Sequence, residues 1–399
     1  MKKIIYIKYS PLTRKVYEDY CMGVLLANGY EVEYWDVTKM FGIKLNDFES
    51  YNPQNGLVIE KIDSYQEMNS HLKEKENSFF ISMMTCCIGQ AKMLRLMTKH
   101  HCKMAFWGPD PVYIPQKSIS NKVYGITLRK IKTKLGNELM KLLFKTGYLC
   151  YYDFRFNVGL KGFWSIGVLD GALLKKSQVI DINSSDYSNY NYSCFKRIVK
   201  NDYIVFIDQY LPFHPDFAIM GTSTLPASSY YDSLNNFFAK IEKKFNMPIV
   251  IAAHPKSLRY KEEDFFDGRK VYFGMTGPLV KDASLVLAHD STAIGYAIMA
   301  RKPIALMESS LMKSYLPRTV LKIRDFSSRF SLPLVNLDNA SSILNVMQIK
   351  LTDEQYKLYE SYIYDYCTSS TISEKNELLV LEFVQKVLTR KEENGKEYK

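Results

Sequence analysis

Two short polar groups carry most of the chemistry that this sequence offers. The apolar run Pro248-Ile249-Val250-Ile251-Ala252-Ala253 ends in His254-Pro255, and the run Ser284-Leu285-Val286-Leu287-Ala288 ends in His289-Asp290-Ser291-Thr292. Each run reads as a buried strand; the second leads into a helix over Thr292–Arg301, the turn Lys302-Pro303 and a strand over Ile304–Met307. In an open parallel sheet, ligands bind beyond the carboxyl ends of the strands, where both groups fall. Ser291 and Thr292 stand where they would cap the helix, whose unpaired N–H groups and positive dipole end favour a phosphate. His254 can meet the same anion from the next strand, with His289 and Asp290 beside ribose or phosphate. A single Ser or Thr at a helix start ordinarily means only a cap, and a single strand-end histidine a structural one. Their coincidence at successive strand ends of one α/β unit is what outlines a nucleotide site.

Transfer from a nucleotide also needs a base for the acceptor. Three carboxylates qualify by position. Asp170, in Leu169-Asp170-Gly171, follows an expected strand over Ser165–Leu169, although Asp-Gly is more often a turn. Asp186 lies in the polar run Asn183–Tyr192, and Asp110 in Gly108-Pro109-Asp110-Pro111. A further loop, Asp208–Asp216, leaves the strand Tyr203–Ile207 and gathers Asp208, Gln209, Tyr210 and His214. No D-x-D is present to hold a divalent ion on a diphosphate. The seven cysteines are odd in number and lack C-x-x-C spacing, which argues against a zinc site or a disulfide framework.

The elements that must position these groups form two similar series. Strand Lys3–Tyr9, helix Arg14–Ala27 with its Asn28-Gly29 end, and strand Glu31–Val37 open a Rossmann-like layer. Ser78–Met83, a helix over Gln90–His100 and Lys103–Trp107 continue it, with further strands expected over Phe163–Leu169 and Gln178–Ile182. The polar run Asn183–Tyr192 reads as the inter-domain linker. The second series runs from Tyr203 to Met307, and two helical segments follow over Thr352–Thr389. The expected division is a first domain over 1–190, a second over 200–350, and C-terminal helices over 351–390. The first βα turn, Tyr9–Thr13, has no glycine, so the dinucleotide fingerprint is missing; P-loop and G-x-S-x-G motifs are missing too.

His254-Pro255 followed by Ser291-Thr292 resembles the HP and S/T motif pair of bacterial GT-B sialyltransferase-like glycosyltransferases, which build surface polysaccharides. The resemblance covers about residues 200–310. It implies an α/β GT-B fold: two Rossmann-like domains facing across a cleft, acceptor in the first and donor in the second, with the C-terminal helices returning to the first domain. It also implies inverting, metal-independent transfer of a sialic acid or other nonulosonic acid from a CMP-sugar to a glycan or glycolipid acceptor, without a cofactor beyond the donor. His254, Pro255, Ser291 and Thr292 would hold the donor phosphate, His254 acting catalytically on the leaving group, with His289, Asp290, Asp208 and Gln209 around it. The family's acidic D/E-D/E-G motif would supply the base through Asp170, although Leu169 replaces its first acidic residue; Asp186 competes. Enzymatic alternatives are a CDP-glycerol-type polyol-phosphate transferase, whose helix also ends in Lys-Pro, a UDP-sugar GT-B transferase and a UDP-sugar 2-epimerase. The retaining E-x7-E pattern is absent, since Asp290 and Ala297 occupy that spacing.

Composition narrows the partners. With 399 residues, 47% of them hydrophobic, the chain can build two cores. The net charge of +11 favours an acidic partner. Much of the excess is local to Lys122–Lys145, where basic residues interleave with leucines and isoleucines and only Glu138 opposes them. That pattern fits either an anionic membrane surface or a packed helix with a solvated lysine face. No nucleic-acid motif accompanies it. No apolar run reaches 18 residues, and no signal peptide is recognisable, so the expectation is a cytoplasmic protein, at most peripheral at the inner face of the membrane. A non-catalytic scaffold of polysaccharide assembly is the reading of another class.

Overall fold

The structure is a computed structural model that describes residues 3–43, 50–53, 56–75, 77–84, 86–108, 110–111, 113, 128–161, 176–214, 224–339 and 350–394. Asp170, Asp216, the expected strand over 163–169 and the start of the basic segment lie outside them. Two parallel sheets organise the chain. The first contains β1 (Lys3–Lys8), β2 (Glu31–Asp36), β3 (Val58–Lys61), β4 (Phe79–Ser82), β5 (Lys103–Phe106), β6 (Phe154–Val158) and β7 (Gln178–Ile182), in the order β3-β2-β1-β4-β5-β6-β7. The second contains β8 (Ile204–Ile207), β9 (Ile249–Ala253), β10 (Val271–Phe273), β11 (Leu285–Ala288), β12 (Ile304–Glu308) and β13 (Leu334–Asn336), in the order β10-β9-β8-β11-β12-β13. Each sheet reverses its winding once, between β1 and β4 and between β8 and β11, and those switch points are where open α/β sheets bind ligands.

Both faces of the central strands are buried, as a parallel sheet covered by helices requires. Ile4 and Tyr6 face one core of the first sheet, Ile5 and Ile7 the other. The second sheet shares one large core with its helices. The C-terminal helices divide between the two. Helix Asp353–Tyr366 gives Tyr359, Tyr362 and Tyr366 to the second core, and helix Asn376–Asn394 gives Val380, Phe383, Val384, Val387 and Leu388 to the first. Phe383 meets Phe79, Phe154 and Phe156 edge-on, at 5.8, 5.1 and 5.1 Å between ring centres. The chain therefore crosses between the halves twice, once after β7 and once after Tyr366.

The two crossings are bonded to each other. The Asn183 N–H donates to Asn376 Oδ1 at 2.9 Å, and Asn376 Nδ2 returns a bond to the Asn183 carbonyl at 2.9 Å. Thr368 Oγ1 donates to Asn183 Oδ1 at 2.6 Å, and the Ser184 N–H to the Cys367 carbonyl at 2.7 Å. Asn183, Thr368 and Asn376 are all buried. Nearby, Gly159 has φ +62°, and a Cβ there would lie 2.6 Å from the Asp365 carbonyl oxygen. Only glycine lets β6 run out this close to the C-terminal helix.

Three expectations need correction. Asn183–Tyr192 is not an open linker: Ser185–Tyr192 is a helix, capped by the Ser184 hydroxyl, which accepts from the Tyr187 N–H. The segment Arg14–Ala27 is two helices, Arg14–Asp19 and Met22–Ala27, broken at Cys21 with φ +55°. Strand β6 was not expected, because Arg155 and Asn157 interrupt its apolar pattern while lying buried.

Candidate functional site

The second sheet's switch point gathers three strand ends. Strand β8 leaves as Asp208-Gln209, β9 as His254-Pro255, and β11 as His289 through Thr292. Gln209 joins two of them, its Oε1 accepting the Asp290 N–H at 2.8 Å across the reversal. Asp208 is buried, and its Oδ2 accepts the Tyr210 N–H at 3.0 Å. Burial pushes its carboxyl up to about 6, against bonds from the Tyr210, His254 and Gln209 N–H groups and the Tyr260 hydroxyl. These bonds tie the start of the His254 loop to the end of β8.

Tyr210 itself has φ +55°, a costly conformation for an aromatic residue, held by packing against Phe213 and Tyr260. The turn it makes carries His214 back to His254, with ring centres 4.7 Å apart. His254 is half-buried, and its Nδ1 accepts the Lys256 N–H at 3.2 Å. That bond selects the neutral tautomer with the proton on Nε2, a hydrogen-bond donor suited to a phosphate oxygen. Pro255 is exposed, at the turn that follows.

Ser291 and Thr292 do not cap a helix as expected. The helix following β11 is short, Ile294–Met299, preceded by Ala293, and Ser291 Oγ accepts the Ala293 N–H at 3.2 Å within the turn. Ser291 thus shapes the turn while Thr292 is exposed. His289 is buried with both nitrogens engaged inside the domain. Its Nδ1–H donates to the Met307 carbonyl at 2.7 Å, Nε2 accepts from the Tyr230 hydroxyl at 3.0 Å, and burial holds its pKa down to about 4. It ties β11 to β12 and cannot also reach a donor. The Asp290 carboxylate faces Lys322 at 3.4 Å, with burial raising its pKa.

Where the two halves meet, two base candidates that are far apart in sequence come together, Asp110 after β5 and Asp186 on a helix that packs against the second half. Asp110 Oδ2 accepts the Ser185 N–H at 2.9 Å and the Ser185 hydroxyl, so it sits on the first turn of the helix that carries Asp186. Confinement between the halves, with Asp186 and Asp19 nearby, pushes the Asp110 carboxyl up to about 7; Ser185 and Lys15 oppose the rise. Asp186 is raised too, first by burial, with Lys15 and the Tyr296 hydroxyl pulling it back. Lys15 bonds Asp19 at 2.8 Å, and attraction to Asp19, Asp186 and Asp110 raises its pKa, so it stays charged. Tyr296 belongs to the helix after β11, about one turn beyond Thr292. The Asp186–Tyr296 bond therefore links the carboxylate group to the helix that follows the hydroxyl pair.

Sequence reasoning named Asp186, with Asp110 as a weaker candidate; Lys15, Asp19 and Tyr296 were missed, and nothing in their local sequence marks them. Among the described residues no group of three His, Cys, Asp or Glu side chains is placed to hold a metal ion. A hollow of about 320 Å³ lined by Lys103, Phe154, Gln178, Ile180 and Phe383 lies at the opposite, amino ends of β5 to β7, away from these groups.

No protein-family model matches the chain, and no curated protein matches it in sequence. Solved structures do. The wall teichoic acid polymerase TagF superposes with a TM-score of 0.56 at 12% identity, over 98% of this chain and 90% of that one. A variant of that polymerase soaked with CDPG superposes with a TM-score of 0.54 at 12% identity, over 98% and 89%. The spinosyn rhamnosyltransferase SpnG complexed with thymidine diphosphate gives 0.47 at 12% identity, over 90% and 95%. At such identities the likeness is one of fold: the protein has the α/β, GT-B arrangement of two parallel-stranded halves, with the last helix returned to the first.

Proposed function

We propose that the protein is a GT-B transferase in which CMP is the leaving group, moving the activated group of a cytidine nucleotide onto a hydroxyl of a bacterial surface-polymer acceptor. The supporting observation is a phosphate-suited His254 at the second sheet's switch point together with the Asp110–Asp186 carboxylates, which Tyr296 ties to the helix that follows Thr292. His254 Nε2–H and the Thr292 hydroxyl donate to the phosphate of the departing CMP, on which charge grows as the bond breaks. The carboxylate pair, with Asp110 held up to about 7 and Asp186 raised by burial, takes the acceptor proton as the acceptor oxygen forms the new bond. Water exclusion follows when the halves close over donor and acceptor.

Two donors release CMP in this way. The likeness to a polymerase structure soaked with CDPG favours a CDP-activated polyol phosphate, in which the acceptor oxygen attacks phosphorus. The His254-Pro255 and Ser291-Thr292 spacing favours a CMP-activated sialic or other nonulosonic acid, in which it attacks the anomeric carbon with inversion. The test is CMP release from each donor, preceded by a thermal-shift series with CMP, CDP, UMP, UDP and GDP. A ligand that binds only the native state stabilises it by about 2.7 kcal/mol at one hundred times its Kd. Stabilisation by uridine or guanosine nucleotides but not by cytidine ones would overturn the proposal.

A further inference from the structure

The helix Leu128–Lys145 presents two apolar faces, although packing among the described residues accounts for only one of them. Met140 and Phe144 are fully buried against the first half, and a Cβ at Gly136 would lie 2.8 Å from Ile88, so the helix is seated closely on that side. Leu135, Leu139 and Leu142 are 65%, 49% and 55% exposed. Their spacing of four and three residues aligns them in a stripe on the opposite side. At 3.6 residues per turn, Lys132 falls on one flank of that stripe and Lys134 and Lys145 on the other, all three exposed. A helix serving only its own domain would leave lysines outward and bury its leucines. This one buries a methionine and a phenylalanine, and leaves a leucine ridge between two lysine rows.

We infer that this ridge docks the protein on an anionic lipid bilayer, the leucines entering the headgroup–acyl boundary while the flanking lysines meet lipid phosphates. Charge complementarity selects the occupant. Six basic residues over 128–145 face the single acid Glu138, which Lys141 already pairs at 3.0 Å. A second copy would bring like charge against like. Beyond the helix end, Tyr148 is half-exposed, with the Arg95 guanidinium 4.3 Å from its ring centre, the amphipathic pair expected at a membrane interface. No helix of the described residues is long and apolar enough to cross a membrane, so the contact is one of lying on the surface. Ile88 follows the carboxyl end of β4, beside the first sheet's switch point, so the helix is seated at the carboxyl ends of that sheet's strands.

The test is flotation of the full chain with phosphatidylcholine vesicles, with and without 30% phosphatidylglycerol, in the absence of nucleotide, so that it stands or falls apart from the proposed reaction. The expected result is binding to the anionic vesicles only, weakened by salt. L135S/L139S/L142S should lower the partition coefficient at least tenfold, and K132Q/K134Q/K145Q should remove the lipid selectivity, with melting temperatures unchanged because all six side chains are exposed. Should either triple variant fold poorly, Leu139→Trp in the otherwise native chain gives a second readout, a blue shift of the added emission on anionic vesicles. Unaltered partition of both triple variants, or no shift from the tryptophan, overturns the proposal. So does a concentration-dependent dimer that the leucine variant abolishes, which would assign the ridge to a second copy.

Discussion

At the scale of single residues, the proposed reaction separates groups that would touch a donor from groups that would aim them. His254→Ala should lower kcat by roughly 10²–10³-fold with little change in acceptor KM, because its partner is charge that develops on the leaving phosphate. Steady-state rates with saturating donor check this; an unchanged kcat would remove His254 from the reaction. The carboxylate pair predicts a pH effect with a definite sign. Transfer should rise with pH through about 7 as the Asp110 proton is lost. In Asp186→Asn the rising limb should move to lower pH, since the repulsion that helps hold Asp110 up is gone; a limb that stays in place would show the two are not coupled. Stability follows the same logic. The native Asp110 stays protonated while the unfolded chain ionises, so stability falls as pH rises from about 4 to about 7, and Asp110→Asn should not share that fall in urea titrations. The strand-end positions of His254 and of the Ser291-Thr292 turn were legible in the sequence because each follows an apolar strand run. His289 was misread for the same reason: position at a strand end says nothing of which way a ring points. Here it points into the domain, between Met307 and Tyr230.

At the scale of elements, long apolar runs announced themselves and short mixed ones did not. Strands β8, β9, β11 and β12 follow their hydrophobic patterns, whereas β6 hides behind Arg155 and Asn157, and the helix Ser185–Tyr192 behind a composition of Ser, Asn and Tyr. Both are decided by tertiary contacts that no local pattern contains. The emergence of β6 toward the C-terminal helix gives a sharp test. Gly159→Ala introduces a left-handed strain and a 2.6 Å approach to the Asp365 carbonyl oxygen. It should cost roughly 2–4 kcal/mol in chemical denaturation, while the same change at Gly268, where a Cβ meets nothing within 4 Å, should cost less even at its φ of +73°. Equal losses at the two sites would show that backbone conformation alone, not the contact, sets the requirement.

At the scale of the whole molecule, the halves are held by two adjacent strands of chain, and the reciprocal Asn183–Asn376 bonds make those crossings move together. Asn376→Ala leaves a buried N–H and a buried carbonyl without their partners, which should cost about 2–4 kcal/mol and raise the donor KM more than it lowers kcat. Stopped-flow fluorescence of donor binding would check that split; a purely stability-linked variant would leave KM alone. The fold class was readable from the sequence because the two βα series repeat one pattern, yet the partition of the last two helices between different cores was not, since either amphipathic segment could have covered either sheet. That partition has a consequence for synthesis. Phe383 and its neighbours cover a face of the first sheet whose strands end at Ile182, so about two hundred residues must follow before the cover leaves the ribosome. At elongation rates of about 5–20 residues per second, the delay is on the order of 10–40 s. For that interval, Phe79, Phe154 and Phe156 stand open to water and to any chaperone that reads exposed aromatic rings. The half that begins the chain is thus the one that finishes folding last.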